Sequence, residues 1–549
     1  MKKQNRKIWI GTDQLNNNPE LAQAAKSEFV ELPVVGSSTG KHETRLESSR
    51  RDFLKYLGFG IGAATMAACD IPVRKAIPYV VKPDSIVPGV ATYYASTFVK
   101  GGEYCPVLVK TREGRPINLS GNTLSNMTTG GTSARAQASV LSLYDTSRYD
   151  APRAVIDGKD SESLSWEALD TAITNKLGVK SNIRIVANTI LSPLTRKAIT
   201  DFKQAYPETE VVMYDPISSS ALLQANEESF GHRVIPEYHF DKADVIVGID
   251  CDFLGTWISP VEYARQYTKN RLVDPKHPKM SRHIQIEGYM SVTGSSADNR
   301  IPVKPSELGA VITTLYNEIA AIVGEPTYNT AELSADKKRK LAFIAKELLE
   351  SRSKSLVVSG TNNKSEQILI NAINNMLGNY GHTISFDRPL LTRQGIDKDA
   401  TRLVKDMQAG NVDAIIVMDS ANPAYNLPGA TAFREAMAKV NLKISLSGVP
   451  NETALLCDFI APTHHYLESW GDAEPKTDSY SMIQPAIAPI FASVGRPGTR
   501  HAEESLLRWA KSTNLLAEAE QPMLEYLKSH WEATVFPKQN RYMTFQNFW

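Results

Sequence analysis

Apolar residues along the middle of the chain follow two alternating periods. Trp166, Leu169, Ile173 and Leu177 recur at helical spacing and stop at Gly178, and the aliphatic run Ile183-Arg184-Ile185-Val186-Ala187 follows. The first pattern lays one apolar stripe along a helix, and the second suits a short strand. The alternation continues through Val211-Val212-Met213-Tyr214, the run from Ala243 to Ile249, Leu356-Val357-Val358 and Ala414-Ile415-Ile416-Val417-Met418. Such aliphatic runs with little polar alternation are what parallel strands covered on both faces require. The fold class predicted is α/β, with two Rossmann-like α/β layers. Ahead of them, Val107 to Lys110 and Arg112 to Leu119 read as two strands joined by a turn at Gly114, a small β unit.

At 549 residues the chain exceeds one ordinary core. The expected divisions are a pre-leader extension (1–48), a leader (49–69), a Pro-rich tether (70–105) and a long α/β region (106–549). The last splits into a first part (106–340) and a second part (341–549) that is incomplete at Trp549, so a fragment or split subunit is expected. Hydrophobic residues make up 42% and charged residues 22%, the composition of a soluble globular protein. With 61 basic and 60 acidic residues the net charge is +1, and no global field favours nucleic acid. Cys69, Cys105, Cys251 and Cys457 stand too far apart for the local spacings of zinc or iron–sulfur sites, which leaves buried thiols or a disulfide.

Ser49-Arg50-Arg51-Asp52-Phe53-Leu54-Lys55 precedes a weakly apolar, glycine-containing run from Tyr56 to Ala68, about half the length of a membrane-spanning helix. Arg50, Arg51, Phe53, Leu54 and Lys55 form a complete twin-arginine export signal, which implies delivery to the periplasmic face of the inner membrane. The small residues before Cys69 suit lipoprotein processing with acylation of that thiol. Met66 stands where leucine is usual, so an unmodified Cys69 remains the alternative. Gly36 to Lys41 imitates a phosphate loop, but it is one residue short and is followed by His42 in place of Ser or Thr. Gly58, Gly60 and Gly62 imitate a dinucleotide fingerprint inside the leader, where no strand precedes them.

From about Val107 the order of segments resembles the molybdopterin (bis-guanine-dinucleotide) oxidoreductases. The resemblance rests on Gly114-x-Pro116 through Gly121-Asn122, on Leu143-Tyr144-Asp145 with Arg148 and Pro152, and on Ser165-Trp166-Glu167-Ala168-Leu169. It continues in Met418-Asp419-Ser420-Ala421-Asn422-Pro423, Asp458-Phe459-Ile460-Ala461-Pro462 and Glu468-Ser469-Trp470-Gly471. Active members begin with a cysteine cluster, where this chain has only Cys105, and Ser125-Asn126 stands where His-Pro is common. These losses, with Asp244 to Gly248, Gly255-Thr256-Trp257 and Gly294 to Arg300, resemble the iron–sulfur subunit of alternative complex III, a quinol-oxidising assembly. That resemblance implies a cofactor-free molybdopterin-oxidoreductase-like scaffold whose iron–sulfur clusters lie in a C-terminal part absent here. It implies partners in a membrane quinol-oxidising complex, including cytochrome c-type and integral membrane subunits, with no catalytic, cofactor or metal residues in this chain. The alternative is an active periplasmic oxidoreductase holding molybdopterin guanine dinucleotide.

Three local groups are candidates on their own chemistry. His464-His465 with Glu468 could present metal ligands or a proton-active group, although Pro462 and Gly471 favour a loop. Asp250, Cys251 and Asp252 follow a strand, where open α/β sheets present ligand-binding residues or cap the next helix. Arg282-His283 and Asn299-Arg300 suit either a nucleotide phosphate or ion pairs.

Export by the twin-arginine route depends on two fixed guanidinium forks, which lysine lacks. The double variant Arg50→Lys, Arg51→Lys is expected to stay in the cytoplasm, measured by cell fractionation; periplasmic delivery of that variant would refute the leader.

Overall fold

The computed structural model describes residue 87 and residues 89–549, except 157, 274, 277 and 493–496 and the side chains of 160–162. Arg50, Arg51, Phe53, Leu54, Lys55 and Cys69 therefore lie outside the described residues.

Two parallel sheets form the α/β body. The larger has seven strands in the order Lys159–Ser163, Arg153–Ile156, Phe459–Ile460, Leu442–Ser445, Ala414–Val417, Ile183–Ala187 and Glu210–Met213. Its last five strands run parallel and the first two form an antiparallel hairpin on one edge. The smaller sheet is all parallel, in the order Asn299–Pro302, Arg282–Glu287, Val245–Ile249 and Ser355–Ser359. Ile183–Ala187, Val245–Ile249 and Ser355–Ser359 are buried at every position, as strands covered on both faces must be. One face of the large sheet packs Ile185, Ile416 and Ile444 with Leu169, Ile173, Phe202 and Trp509, and the other packs Val186, Ile415 and Val417 with Leu403 and Phe433. The small sheet is covered likewise, by Ile312, Leu315, Ile344 and Ile373 on one side and by the stacked rings of Phe240 and Phe253 with Tyr263 on the other.

Two antiparallel sheets complete the body. Thr92–Lys100, Glu103–Arg112 and Arg115–Gly121 form a meander closed on one face by the helix Ala134–Leu143. Ser479–Ile483, Gly471–Lys476, Ile384–Leu390 and Ile235–Tyr238 form the fourth sheet.

Two expected boundaries differ. The tether expected through residue 105 gives way to strand at Thr92, because Thr92 to Lys100 pairs in continuous register with Glu103 to Thr111. The two layers do not divide at 340/341 either. The large sheet joins strands from 183–213 with strands from 414–460, while Ser355–Ser359 belongs with the strands of 245–302. Aliphatic runs mark strands but carry no record of which partner each will find.

Gly360 shows how closely the small sheet is packed at its carboxyl ends: a side-chain carbon there would overlap the backbone of Asp250 and press on that of Cys251. Backbone on that side cannot swing away. Gly360→Ala is expected to cost about 1–3 kcal/mol, read as a lowered midpoint in thermal or urea unfolding.

Candidate functional site

An open α/β sheet receives ligands outside the carboxyl ends of its strands where the strand order reverses. The large sheet reverses between Ile183–Ala187 and Ala414–Val417, and the small sheet between Val245–Ile249 and Ser355–Ser359. A dinucleotide bound there needs backbone N–H donors at a helix N-terminus for its phosphates and a carboxylate with free lone pairs for a ribose.

In the large sheet a turn of the chain itself approaches Asn188, just beyond the carboxyl end of Ile183–Ala187. Gly101 and Gly102, with φ of 55° and 77°, form the tip between the first two meander strands. Arg393 is buried and donates from Nη1 to the Gly101 carbonyl at 2.5 Å. Burial pulls its guanidinium below the ordinary arginine range. Asp215 accepts from Thr189 N (3.2 Å), Thr189 Oγ1 (2.7 Å) and Gly395 N (2.9 Å). The next helix, Pro193–Ala205, is capped by Ser192, with proline at its first position. Asp472 closes that N-terminus, accepting from Leu194 N (3.1 Å) and Ser192 Oγ (2.6 Å), and Trp531 Nε1 (2.9 Å) holds its other oxygen. Burial pushes the Asp472 carboxyl up. Across the reversal Asn422 is equally committed, accepting from Thr453 N (3.2 Å) and Oγ1 (2.7 Å).

In the small sheet the committed groups follow Val245–Ile249 and Arg282–Glu287, next to the reversal and not within it. Glu287, at the end of its strand, accepts from Arg300 Nε (2.6 Å), Ser291 Oγ (2.7 Å), Ser291 N (3.1 Å) and Gln285 Nε2 (3.2 Å). Four donors fill the acceptor sites of one carboxylate. Asp252 accepts from Thr293 N (3.1 Å) and Oγ1 (2.8 Å). It thus caps the short helix Val292–Ser295 and not the next helix along the chain, Pro260–Lys269, where Ser259 Oγ donates to Glu262 (3.1 Å). Asp250 holds a left-handed backbone, φ 48°, and burial with the nearby Glu287 charge raises its carboxyl. Cys251 is a buried thiol pushed up by desolvation.

The comparisons with known proteins agree with this architecture. The chain is 22% identical over 444 residues to the menaquinone reductase molybdopterin-binding-like subunit of Nitratidesulfovibrio vulgaris, covering 70% of this chain and 62% of that one. An 80-residue stretch, 14% of this chain and 8% of the other, is 34% identical to one of the subunits of tetrathionate reductase from Salmonella typhimurium. Among solved structures, acetylene hydratase from Pelobacter acetylenicus superposes with a TM-score of 0.57 at 11% identity, over 76% of this chain and 69% of that one. No family model matches the chain. The chain is molybdopterin-oxidoreductase-like.

Two segments that carried the resemblance meet in this molybdopterin-oxidoreductase-like body. Arg148 forms a bidentate, buried ion pair with Glu468 (2.5 and 3.1 Å) and also donates to the Leu143 carbonyl (2.8 Å). His465 N and Ile490 N complete the Glu468 carboxylate, each at 2.9 Å; burial works to raise its proton affinity, but Arg148 and these donors together hold it below the ordinary carboxylate value. Glu468 is therefore spent, and a His-His-Glu metal set does not assemble. His464 Nδ1 pairs with Thr499 Oγ1 (2.6 Å), while His465 Nδ1 accepts from Leu467 N (3.3 Å) and its Nε2 pairs with Ser142 Oγ (3.0 Å). Among the described residues no cluster of His, Cys, Asp or Glu is placed to hold a metal ion. Arg282 pairs with Glu347 (3.0 Å) and Arg300 with Glu287, so both arginines serve internal ion pairs, and His283 is buried against Tyr267. Cys105, Cys251 and Cys457 are buried free thiols.

Sequence reasoning missed Asp215, Arg393 and Asp472, whose roles depend on distant partners. A faint signal was present in Gly101-Gly102, a pair that marks a tight turn.

Burial holds the proton affinity of three clustered histidines low: His464 falls to about 3, and His465 and His501 each to about 4. In the unfolded chain they take up protons from the ordinary value near 6.5. Stability is then full above that value and is lost as pH falls from about 6.5 towards 4, at about 1.4 kcal/mol for each tenfold difference in proton affinity. Urea midpoints are expected to drop steadily between pH 7 and 4.5; a flat profile contradicts a neutral, buried cluster.

Proposed function

We propose that this chain is a cofactor-free, molybdopterin-oxidoreductase-like subunit of a membrane-associated, quinone-linked respiratory complex of the alternative complex III type. The observation that carries the reading is that groups of the chain itself take up N–H donors at the carboxyl ends of strands in both sheets. Arg393 holds the Gly101-Gly102 turn and the helix end at Leu194 is closed by Asp472, while Glu287 and Asp252 accept from Ser291 N and Thr293 N. A guanine dinucleotide does not fit these groups: its phosphates would have to displace buried carboxyl groups from N–H donors, and Asp250, Asp252 and Glu287 would repel them. The relative named as a menaquinone reductase molybdopterin-binding-like subunit supports the same role, although the match spans 62% of that protein.

The twin-arginine sequence supports a place on the periplasmic face of the inner membrane, with Cys69 as a point of lipid attachment. Among the described residues no helix is long and apolar enough to cross a membrane. In this reading that lipid and the partners provide the membrane association. Those partners, cytochrome c-type and integral membrane subunits among them, carry the electrons in this reading, and this chain supplies a rigid surface.

Protein purified from membranes in its native complex is expected to contain no molybdenum or tungsten attributable to this chain and no extractable pterin. Stoichiometric metal with pterin would overturn the proposal in favour of an active molybdopterin guanine dinucleotide oxidoreductase.

A further inference from the structure

A cleft of about 430 Å³ lies beside the small sheet, between the 3-10 turn Phe240–Lys242, the helix Pro260–Lys269 and the strand Ile384–Leu390. Met127, Arg388 and Lys476 also line a second cleft of about 640 Å³. Its floor is a buried charge triad in which Lys476 Nζ donates to Glu262 (2.5 Å) and Glu237 (2.9 Å). Gln266 and Ser259 complete the Glu262 carboxylate, so the floor is internally satisfied.

The rim is not. Five cations line the cleft against three carboxylates, two of which are the buried ones held by Lys476. Asp241 is taken by Lys269 at 3.0 Å. Arg388, with a side chain 60% exposed, reaches Glu237 only at 3.7 Å, on the same Oε1 that already accepts from Lys476. Arg265 donates from Nε to the Thr129 hydroxyl at 3.1 Å, and it and Lys242 form no ion pair among the described residues. Leu272 stands 78% exposed on the same cleft, which half-buried Met127 also lines. Three cations without a full counter-charge around an exposed leucine make a surface that is poor on its own and good against a segment of opposite charge carrying an apolar residue.

We propose that this cleft docks an acidic segment of a partner protein, whose carboxylates pair with Arg388, Arg265 and Lys242 while an apolar side chain covers Leu272 and Met127. This rests on the reading of the chain as part of a complex and names the chemistry of one contact. Arginine's planar fork suits carboxylates in pairs, and rim charges set association more than they set fold.

The test uses the full chain in its native membranes. A photo-crosslinking residue in place of Leu272 is expected to join a segment rich in Asp and Glu in another polypeptide. The double variant Arg265→Glu, Arg388→Glu is expected to lower recovery of that polypeptide roughly tenfold at moderate salt, with an unchanged unfolding midpoint showing that the chain still folds. Undiminished recovery, a crosslink to a segment without acidic residues, or no polypeptide crosslinked at Leu272 in the intact complex overturns the docking site and leaves the subunit reading intact. Purification of the wild-type chain with no partner at all overturns both.

Discussion

Helix N-termini at the carboxyl edge of a parallel sheet present N–H groups with no partner inside the helix, and something must accept from them. In a nucleotide-binding relative of this architecture that acceptor arrives as a phosphate. Here Asp472 and Asp252 supply it from within, and Glu287 serves the turn that precedes the second helix. Each is fixed by donors from several elements, and the fold around each crevice is arranged to bring them there. Asp472 comes from the fourth sheet to close a helix of the large one, and Trp531 of a C-terminal helix holds its second oxygen. One carboxyl group thereby ties three parts of the chain together.

Arg148 and Glu468 make a similar tie around the meander. The pair is buried, and such pairs gain little net stability over apolar packing, but removing one partner strands the other charge. Its geometry also fixes the loop that carries His464 and His465, since Glu468 accepts from His465 N and the imidazole caps the same turn. The low proton affinity of these histidines follows from this packing and from the T-shaped contact of His464 with His501 at 4.9 Å.

The fold class was legible because it rests on local pattern. Trp166 to Leu177 and Ile183 to Ala187 announce a helix and a strand by periodicity, and the structure has Trp166–Lys176 and Ile183–Ala187. Sheet membership was not legible, since the alignment of Ile416 with Ile185 on one side and Ile444 on the other is decided by packing across long stretches of chain. The candidate residues divide in the same way. Asp250 to Asp252 could be placed at a strand end from the run before them, but the choice of Thr293 as the donor to Asp252 could not. Glu468 suggested a metal ligand because its sequence neighbours are histidines, while its real partner lies 320 positions earlier. Arg393 and Asp472 sit in no motif, and their meaning exists only once the sheets are assembled.

The interleaving of the large sheet bears on how the chain is made. Ile183–Ala187 takes its inner neighbour from Ala414–Val417, and the small sheet is completed in between. During synthesis the aliphatic edge of Ile183–Ala187 stays open until the ribosome has passed Val417 and the chain has turned back on itself. Non-local pairing of this kind is slow, and an open aliphatic edge invites association with other chains. The body cannot be delivered in halves: a nascent chain stopped before residue 414 carries a complete small sheet beside an unfinished large one. A transport route that accepts only finished molecules would suit it, because the large sheet is closed only by strands made late in the chain.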